Sequence, residues 1–191
     1  MDKVQLRKYY LSKRKAISSE EIAEKSQQIA DLFFQSFDLS NIQKLHIFLP
    51  IIRNKEINTF LIIKHLNKHF PQINIIIPKT IISTSEMEHY LLDEEKLTEN
   101  QWGILEPSDE NLVKFEPSTI DLVIIPLLVF DKHGNRVGYG KGFYDRFLQK
   151  CKTTTLKIGL CLEEPIEQIE DVNEFDIKMD FCITSTKNYI F

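Results

Sequence analysis

Cysteine, glycine and long apolar runs are all scarce in this chain, and each shortage excludes something. Its three cysteines, Cys151, Cys161 and Cys182, are odd in number and far apart, which argues against a disulfide framework in a chain of this size. No CxxC pair is present, and the five histidines do not accompany the cysteines. His65 and His69 share a helix face by their spacing, but with no third ligand beside them they read as surface residues rather than a zinc site. The longest apolar run, 122–130, is broken by Pro126 and falls short of the ~20 residues that span a bilayer. The opening MDKVQLRKYYLSKRK has no apolar signal core, so a cytoplasmic protein is expected. Positive charge is not in excess either. Lys and Arg number 24 against 28 Asp and Glu, for a net charge of −4, which removes the electrostatic reason to expect nucleic acid or a membrane as partner. Repeats, low-complexity tracts and linkers are missing, and 191 residues suit one domain over 1–191, expected to be a monomer.

What is present is an alternation of helical and apolar segments. The first 37 residues read as a helix pair, with Ser18 and Glu21 as a capping box for the second helix and Ile22, Ile29 and Phe33 on its inner face. KLHIFLP (44–50), INIIIPKT (73–80), DLVIIP (121–126), KIGLCL (157–162) and FCITS (181–185) are short apolar runs without alternation, expected to be strands covered on both faces. Between them 58–70 and 142–151 have helical spacing, with Asn58 as a cap for the first. The fold class that follows is α/β: three layers, a largely parallel central sheet flanked by helices, Rossmann-like, with an N-terminal helix pair. The segment 81–120 is least legible; MEHYLL suggests a short strand and QWGILEPSDEN (101–111) a loop.

Glycine, although scarce, is concentrated. Four of the six glycines fall within 134–142, in GNRVGYGKGFYDRF. A P-loop would need Ser or Thr after Lys141 and a glycine at 135, and finds Gly142 and Asn135; a dinucleotide loop would need a third glycine at 143, and finds Phe143. The physics beneath both patterns survives. Glycines let backbone approach a ligand, Arg136 and Lys141 add positive charge, and the loop follows an apolar strand, where ligands bind in α/β sheets. A hairpin turn explains the same glycines without any ligand. Two other functions also remain open on these residues: an enzyme of a different class that uses the loop without hydrolysing ATP, and a non-catalytic nucleotide-binding module.

FDKHGNRVGYGKGFYDRFL resembles the signature of the 5-formyltetrahydrofolate cyclo-ligase family, FD-x-x-G-x-R-L-G-x-G-x-G-Y-Y-D. The resemblance extends to K-x-x-LR at Lys3 and Arg7, to HIFLP with Glu56 and Thr59 beyond it, to G-x-x-EP at 103–107, to DLVIIP and to FDIKMDFCIT. Departures are Val137 for Leu, Phe143 for the first Tyr, which loses a hydroxyl, and Phe175 where many relatives have His. The resemblance implies ATP- and Mg2+-dependent cyclisation of 5-formyltetrahydrofolate (folinate) to 5,10-methenyltetrahydrofolate, with release of ADP and phosphate through a phosphorylated formyl intermediate.

It also implies roles for single residues. Arg136 and Lys141 neutralise phosphate and are the implied catalytic pair. Lys3, Val4, Gln5, Leu6 and Arg7 reach ATP from the first helix, and the stretch Arg136, Val137, Gly138, Tyr139, Gly140, Lys141, Gly142, Phe143 and Tyr144 surrounds it. Leu49 and Glu56 contact the folate, together with Tyr139, Gly140, Lys141, Gly142 and Phe143. Asp145 and Asp176 hold magnesium. Read without the resemblance, Lys3 and Arg7 form a solvated basic face and Tyr144 divides evenly between core and site. Trp102 reads as packing, Glu106 has no assigned step, and Asp121 and Asp131 read as turn or cap residues.

Overall fold

Local capping fixes where the first two helices begin. The structure is a computed structural model describing residues 1–108 and 112–191. Helix α1 (Lys3–Ala16) starts at Asp2, whose carboxylate accepts the Gln5 N–H while the Gln5 side chain accepts the Asp2 N–H. Helix α2 (Ser19–Ser36) starts at Ser18, whose hydroxyl accepts the Glu21 N–H. Ile29 and Phe33 are fully buried and Ile22 half-buried, as their spacing predicts.

The remaining elements are β1 (Lys44–His46), α3 (Phe60–His69), β2 (Asn74–Ile81), β3 (Glu86–Leu91), β4 (Leu97–Glu99) and β5 (Leu105–Pro107). After them come β6 (Leu122–Pro126), β7 (Val129–Phe130), β8 (Arg136–Val137), α4 (Phe143–Gln149), β9 (Leu156–Leu160), β10 (Phe181–Ile183) and β11 (Asn188–Ile190). A 7-stranded sheet runs in the order β11-β10-β9-β6-β1-β2-β3. Its inner pairings, β10 with β9, β9 with β6, β6 with β1 and β1 with β2, are parallel. The two edge strands, β11 and β3, are antiparallel.

Strand β6 shows why its apolar run does not alternate. Leu122 and Ile124 face one way, into a core shared with Ile29 and Phe33 of α2 and Ile62, Ile63 and Leu66 of α3. Val123 and Ile125 face the other way, into a core with Phe147 and Leu148 of α4. Both faces are covered, and the three-layer α/β arrangement follows. Among the described residues no helix is long and apolar enough to cross a membrane.

Three details differ from expectation. Only 44–46 of the run 44–50 pairs as strand; beyond Ile47 the chain leaves the sheet, and the Phe48 carbonyl accepts the Thr59 hydroxyl at 2.7 Å. The expected loop at 101–111 contains β5, which pairs with β4 across a turn closed by the Asn100 side chain accepting from the Trp102 and Ile104 N–H groups; residues 109–111 lie outside the described residues. The cap of α3 is Thr59 rather than Asn58, although the Asn58 side chain does accept the Phe60 N–H at 3.2 Å.

Candidate active site

The glycine stretch divides into two parts with different jobs. Gly134 belongs to the turn of the β7–β8 hairpin, at φ 82°. Asp131 organises that turn: Oδ1 accepts the His133 and Asn135 N–H groups at 2.9 and 3.0 Å, and Oδ2 accepts the Ile169 N–H at 3.1 Å. Asp131 is therefore a turn residue, and Asp121 a structural tie accepting the Gln43 and Lys44 N–H groups. Beyond the hairpin, 138–142 is a separate loop with Gly140 at φ 86° and Gly142 at φ 70°. A Cβ on Gly140 would lie 2.7 Å from Cζ of Arg7, so the missing side chain is what admits the guanidinium, whose Nε donates to the Gly138 carbonyl at 2.9 Å. Helix α4 has only 7 residues, so the charge of this site comes chiefly from side chains rather than from a helix dipole.

This loop roofs a cavity of about 870 Å³. Leu49, just past β1, and Pro126, the last residue of β6, both line it. Chain order reverses between these two strands, since β1 connects to β2 on one side and β6 to β9 on the other. The cavity therefore lies at the carboxyl ends of the strands, at the switch point where an open α/β sheet leaves a crevice.

One wall is charged. The Arg136 side chain, 6% exposed, donates to Asp145 Oδ1 at 2.6 Å and to the Ile177 carbonyl. Lys3 pairs with Asp176 Oδ2, which also accepts the Asn173 N–H at 2.7 Å. Arg7 lies beside them, and Lys141 has no ion pair among the described residues. Glu56 also lines the cavity. Its Oε2 accepts the Ile51 N–H at 2.9 Å and its Oε1 accepts the Tyr139 hydroxyl. Burial pushes the Glu56 carboxyl upward, while the Ile51 N–H, the Tyr139 hydroxyl and the Arg14 guanidinium oppose that rise. The segment carrying Glu56 is stitched to the end of α1, because Lys55 Nζ donates to the Lys15 carbonyl at 2.8 Å and to the Ile17 carbonyl.

Most residues expected at the site line this one cavity: Lys3 and Arg7, Leu49 and Glu56, 136–145 and Asp176. Three do not. Val4 is 68% exposed, Gln5 is engaged in the α1 cap, and Leu6 packs in a small core with Val129, Val137 and Ile169. On a helix only the face carrying residues 3 and 7 meets the cavity. Tyr144 lies at the boundary between core and cavity. Its ring packs on both cores, it lines the cavity, and its hydroxyl has no hydrogen-bond partner among the described residues. Trp102, expected as packing, lines the cavity, and its carbonyl accepts from Arg53. Glu106 is buried and accepts the Thr80 N–H at 2.8 Å.

Arg14 was not anticipated. Buried at 6% exposure, it donates to the Tyr139 hydroxyl at 3.0 Å and to the Leu127 carbonyl at 2.7 Å. The signal was present, since residues 3, 7 and 14 fall within about 40° on a helical wheel. Among the described residues no group of three His, Cys, Asp or Glu gathers as a metal cage. Away from the cavity, His65 stacks on Phe34 at 3.9 Å. His46 and His89 are buried side by side with ring centroids 5.1 Å apart.

A profile of the 5-formyltetrahydrofolate cyclo-ligase family matches residues 1–185. A mouse 5-formyltetrahydrofolate cyclo-ligase is 30% identical over 177 residues, covering 87% of this chain and 85% of that one. A probable 5-formyltetrahydrofolate cyclo-ligase of Schizosaccharomyces pombe is 35% identical over 128 residues, and that match covers 60% of this chain and 62% of the yeast protein. The solved structure of a 5,10-methenyltetrahydrofolate synthetase from Mycoplasma pneumoniae superposes with a TM-score of 0.74 at 28% identity, covering 97% of this chain and 99% of the other. On a match that runs through both helices of the N-terminal pair, the glycine loop and the segment of Asp176, this chain belongs to the 5-formyltetrahydrofolate cyclo-ligase family.

Proposed function

We propose that this chain closes the ring of 5-formyltetrahydrofolate to give 5,10-methenyltetrahydrofolate, consuming ATP with magnesium and releasing ADP and phosphate. The observation that carries the reading is one cavity lined by six cationic side chains, Lys3, Arg7, Arg53, Arg136, Lys141 and Arg146, together with a buried acceptor, Glu56.

Phosphoryl transfer asks a protein chiefly for positioning and charge neutralisation. Lys141, exposed and outside any described ion pair, is available to a phosphate as a point charge, and Arg136, held by Asp145 and the Ile177 carbonyl, adds a fixed positive charge behind it. The formyl oxygen attacks the γ-phosphorus and ADP departs. The second folate nitrogen then attacks the activated formyl carbon and gives up its proton, and the formyl C–O bond breaks so that the oxygen leaves with the phosphate as the ring closes. Glu56, acceptor-only when ionised, suits the N–H groups of the pterin ring. Leu49 and Phe143 give that ring apolar and aromatic surface.

Asp145 and Asp176 are the residues that would hold magnesium. They line the same cavity, and each has one oxygen to which no hydrogen bond is assigned among the described residues. Two carboxylates without a third ligand suit magnesium, which completes its shell with phosphate and water. Bound there, the ion would supply charge neutralisation for the phosphate oxygens.

The test is turnover of folinate with ATP and magnesium, read as methenyl-folate absorbance and ADP release. A nucleotide-binding module would bind ATP without absorbance growth. An enzyme of another class would release no folinate-dependent ADP. Either outcome overturns the proposal.

A further inference from the structure

A guanidinium buried under a substrate cavity without touching it requires a reason. Arg14 does not line the cavity, yet it is taken out of water beside it. Burying a cation is costly unless an anion compensates it. The Leu127 carbonyl offers only a dipole. The compensating charge is Glu56, and the connection runs through a single hydroxyl: Arg14 Nη1 donates to the Tyr139 oxygen at 3.0 Å, and Tyr139 donates to Glu56 Oε1. A phenol has one proton. With Arg14 occupying its acceptor side, that proton is directed at the carboxylate.

We infer that Arg14 is a positioning residue for the folate-binding carboxylate, orienting Glu56 through Tyr139. The inference rests on the folate role proposed for Glu56. The family signature does not call for it, because that pattern leaves position 139 open and here the position is tyrosine.

The chemistry that depends on the relay is the match to substrate. Both Glu56 oxygens are anchored, one by the Ile51 N–H and one by Tyr139, so the carboxylate presents its remaining lone pairs in a fixed direction. An ionised carboxylate accepts the N–H donors of a pterin, whereas a protonated one carries an O–H that opposes them. The groups that act on Glu56 are Arg14 from α1, Tyr139 from the loop, Tyr144 from α4 and the Ile51 N–H of its own segment. Arg14 is the one cation among them. Without it, burial is opposed only by two neutral donors, and Glu56 takes up a proton at higher pH. The same face of α1 also carries Lys3 and Arg7, so one helix supports both halves of the cavity.

Two readouts test the inference independently. The first is a carboxyl-carbon NMR titration of Glu56 in the ligand-free protein, with the resonance assigned from Glu56→Gln. Arg14→Gln moves the midpoint up by about one pH unit, and Arg14→Lys, which keeps the charge, returns it toward the parent. The second is steady-state kinetics. Arg14→Gln raises KM for folinate by roughly tenfold, the scale of losing a charge-assisted contact, with KM for ATP within about twofold of the parent. It also moves the acid limb of kcat/KM for folinate upward with the NMR midpoint. If Arg14→Gln does not fold, Tyr139→Phe severs the relay with Arg14 still in place and raises the midpoint in the same direction. An unmoved Glu56 midpoint, a shift that lysine does not reverse, or equal changes in both KM values would overturn the inference. A parent enzyme that never turns over folinate would instead refute the proposed function, while the titration still decides the relay.

Discussion

Replacing Asp145 with Asn separates the structural duty of that carboxylate from its proposed catalytic one. Asp145 Oδ1 accepts from Arg136 Nη2 at 2.6 Å and from the Ile177 N–H at 3.3 Å. The two side chains are unequally exposed, Arg136 at 6% and Asp145 at 29%. Breaking a fully buried pair costs about 3–5 kcal/mol, and an exposed pair contributes about 0–1 kcal/mol. Asn keeps an oxygen for Arg136 but removes the charge that compensates it, so a loss of about 1–2 kcal/mol is expected. For a chain of this length each kcal/mol corresponds to roughly 2–4 °C in Tm, so Asp145→Asn should melt about 3–6 °C below the parent. Differential scanning fluorimetry reads this directly. Repeated with magnesium and ATP, the assay should show the parent rising in Tm and the variant losing most of the magnesium-dependent part of that rise. Adding Arg136→Met to Asp145→Asn should recover part of the ligand-free loss, because no unpaired buried charge remains. If Asp145→Asn melts with the parent, the ion pair does not hold the charged wall and the reasoning fails.

Two further predictions concern backbone and pH. Gly140→Ala puts a Cβ 2.7 Å from Arg7 Cζ at φ 86°; the left-handed strain alone costs about 1–2 kcal/mol, and displacing Arg7 should raise KM for ATP, which steady-state kinetics checks. His89 is held down to about 4 by burial beside Lys114 and Lys150. Its folded value lies below the ordinary 6.5, so its contribution to stability is complete above 6.5 and is lost as pH falls from there toward 4. Because His89 stacks on Phe147 at 4.1 Å, phenylalanine suits the space, and His89→Phe should show a smaller fall in Tm between pH 7 and 5 than the parent. An equal fall would mean that His89 takes up its proton in the folded chain as readily as in the unfolded one, so that burial does not hold it down.

The parts of this molecule that were legible in its sequence are those where one local rule dominates. Ser18 announces α2, and the unalternating DLVIIP announces a strand covered on both faces. Strands of three residues, β4, β5 and β11, carry too few positions for a period to appear, and pairing rather than composition defines them. In the glycine stretch the sequence does not distinguish a hairpin turn from a ligand loop, because both use positive φ. The structure places Gly134 in a hairpin turn and 138–142 beyond that hairpin, along the cavity. Charge was legible only in part. Arg136 and Lys141 stand beside the glycines, whereas Arg14 lies more than a hundred residues from Tyr139, and only the packing of α1 brings the two together.

The central claim is ring closure of folinate at the expense of ATP, and the most direct measurement is absorbance of purified protein mixed with folinate, ATP and magnesium. The methenyl-folate band should grow with one ADP released per product, and Lys141→Ala should lose nearly all of that growth. A flat trace from folded, ATP-binding protein, or product formed at the same rate without ATP, would contradict that claim.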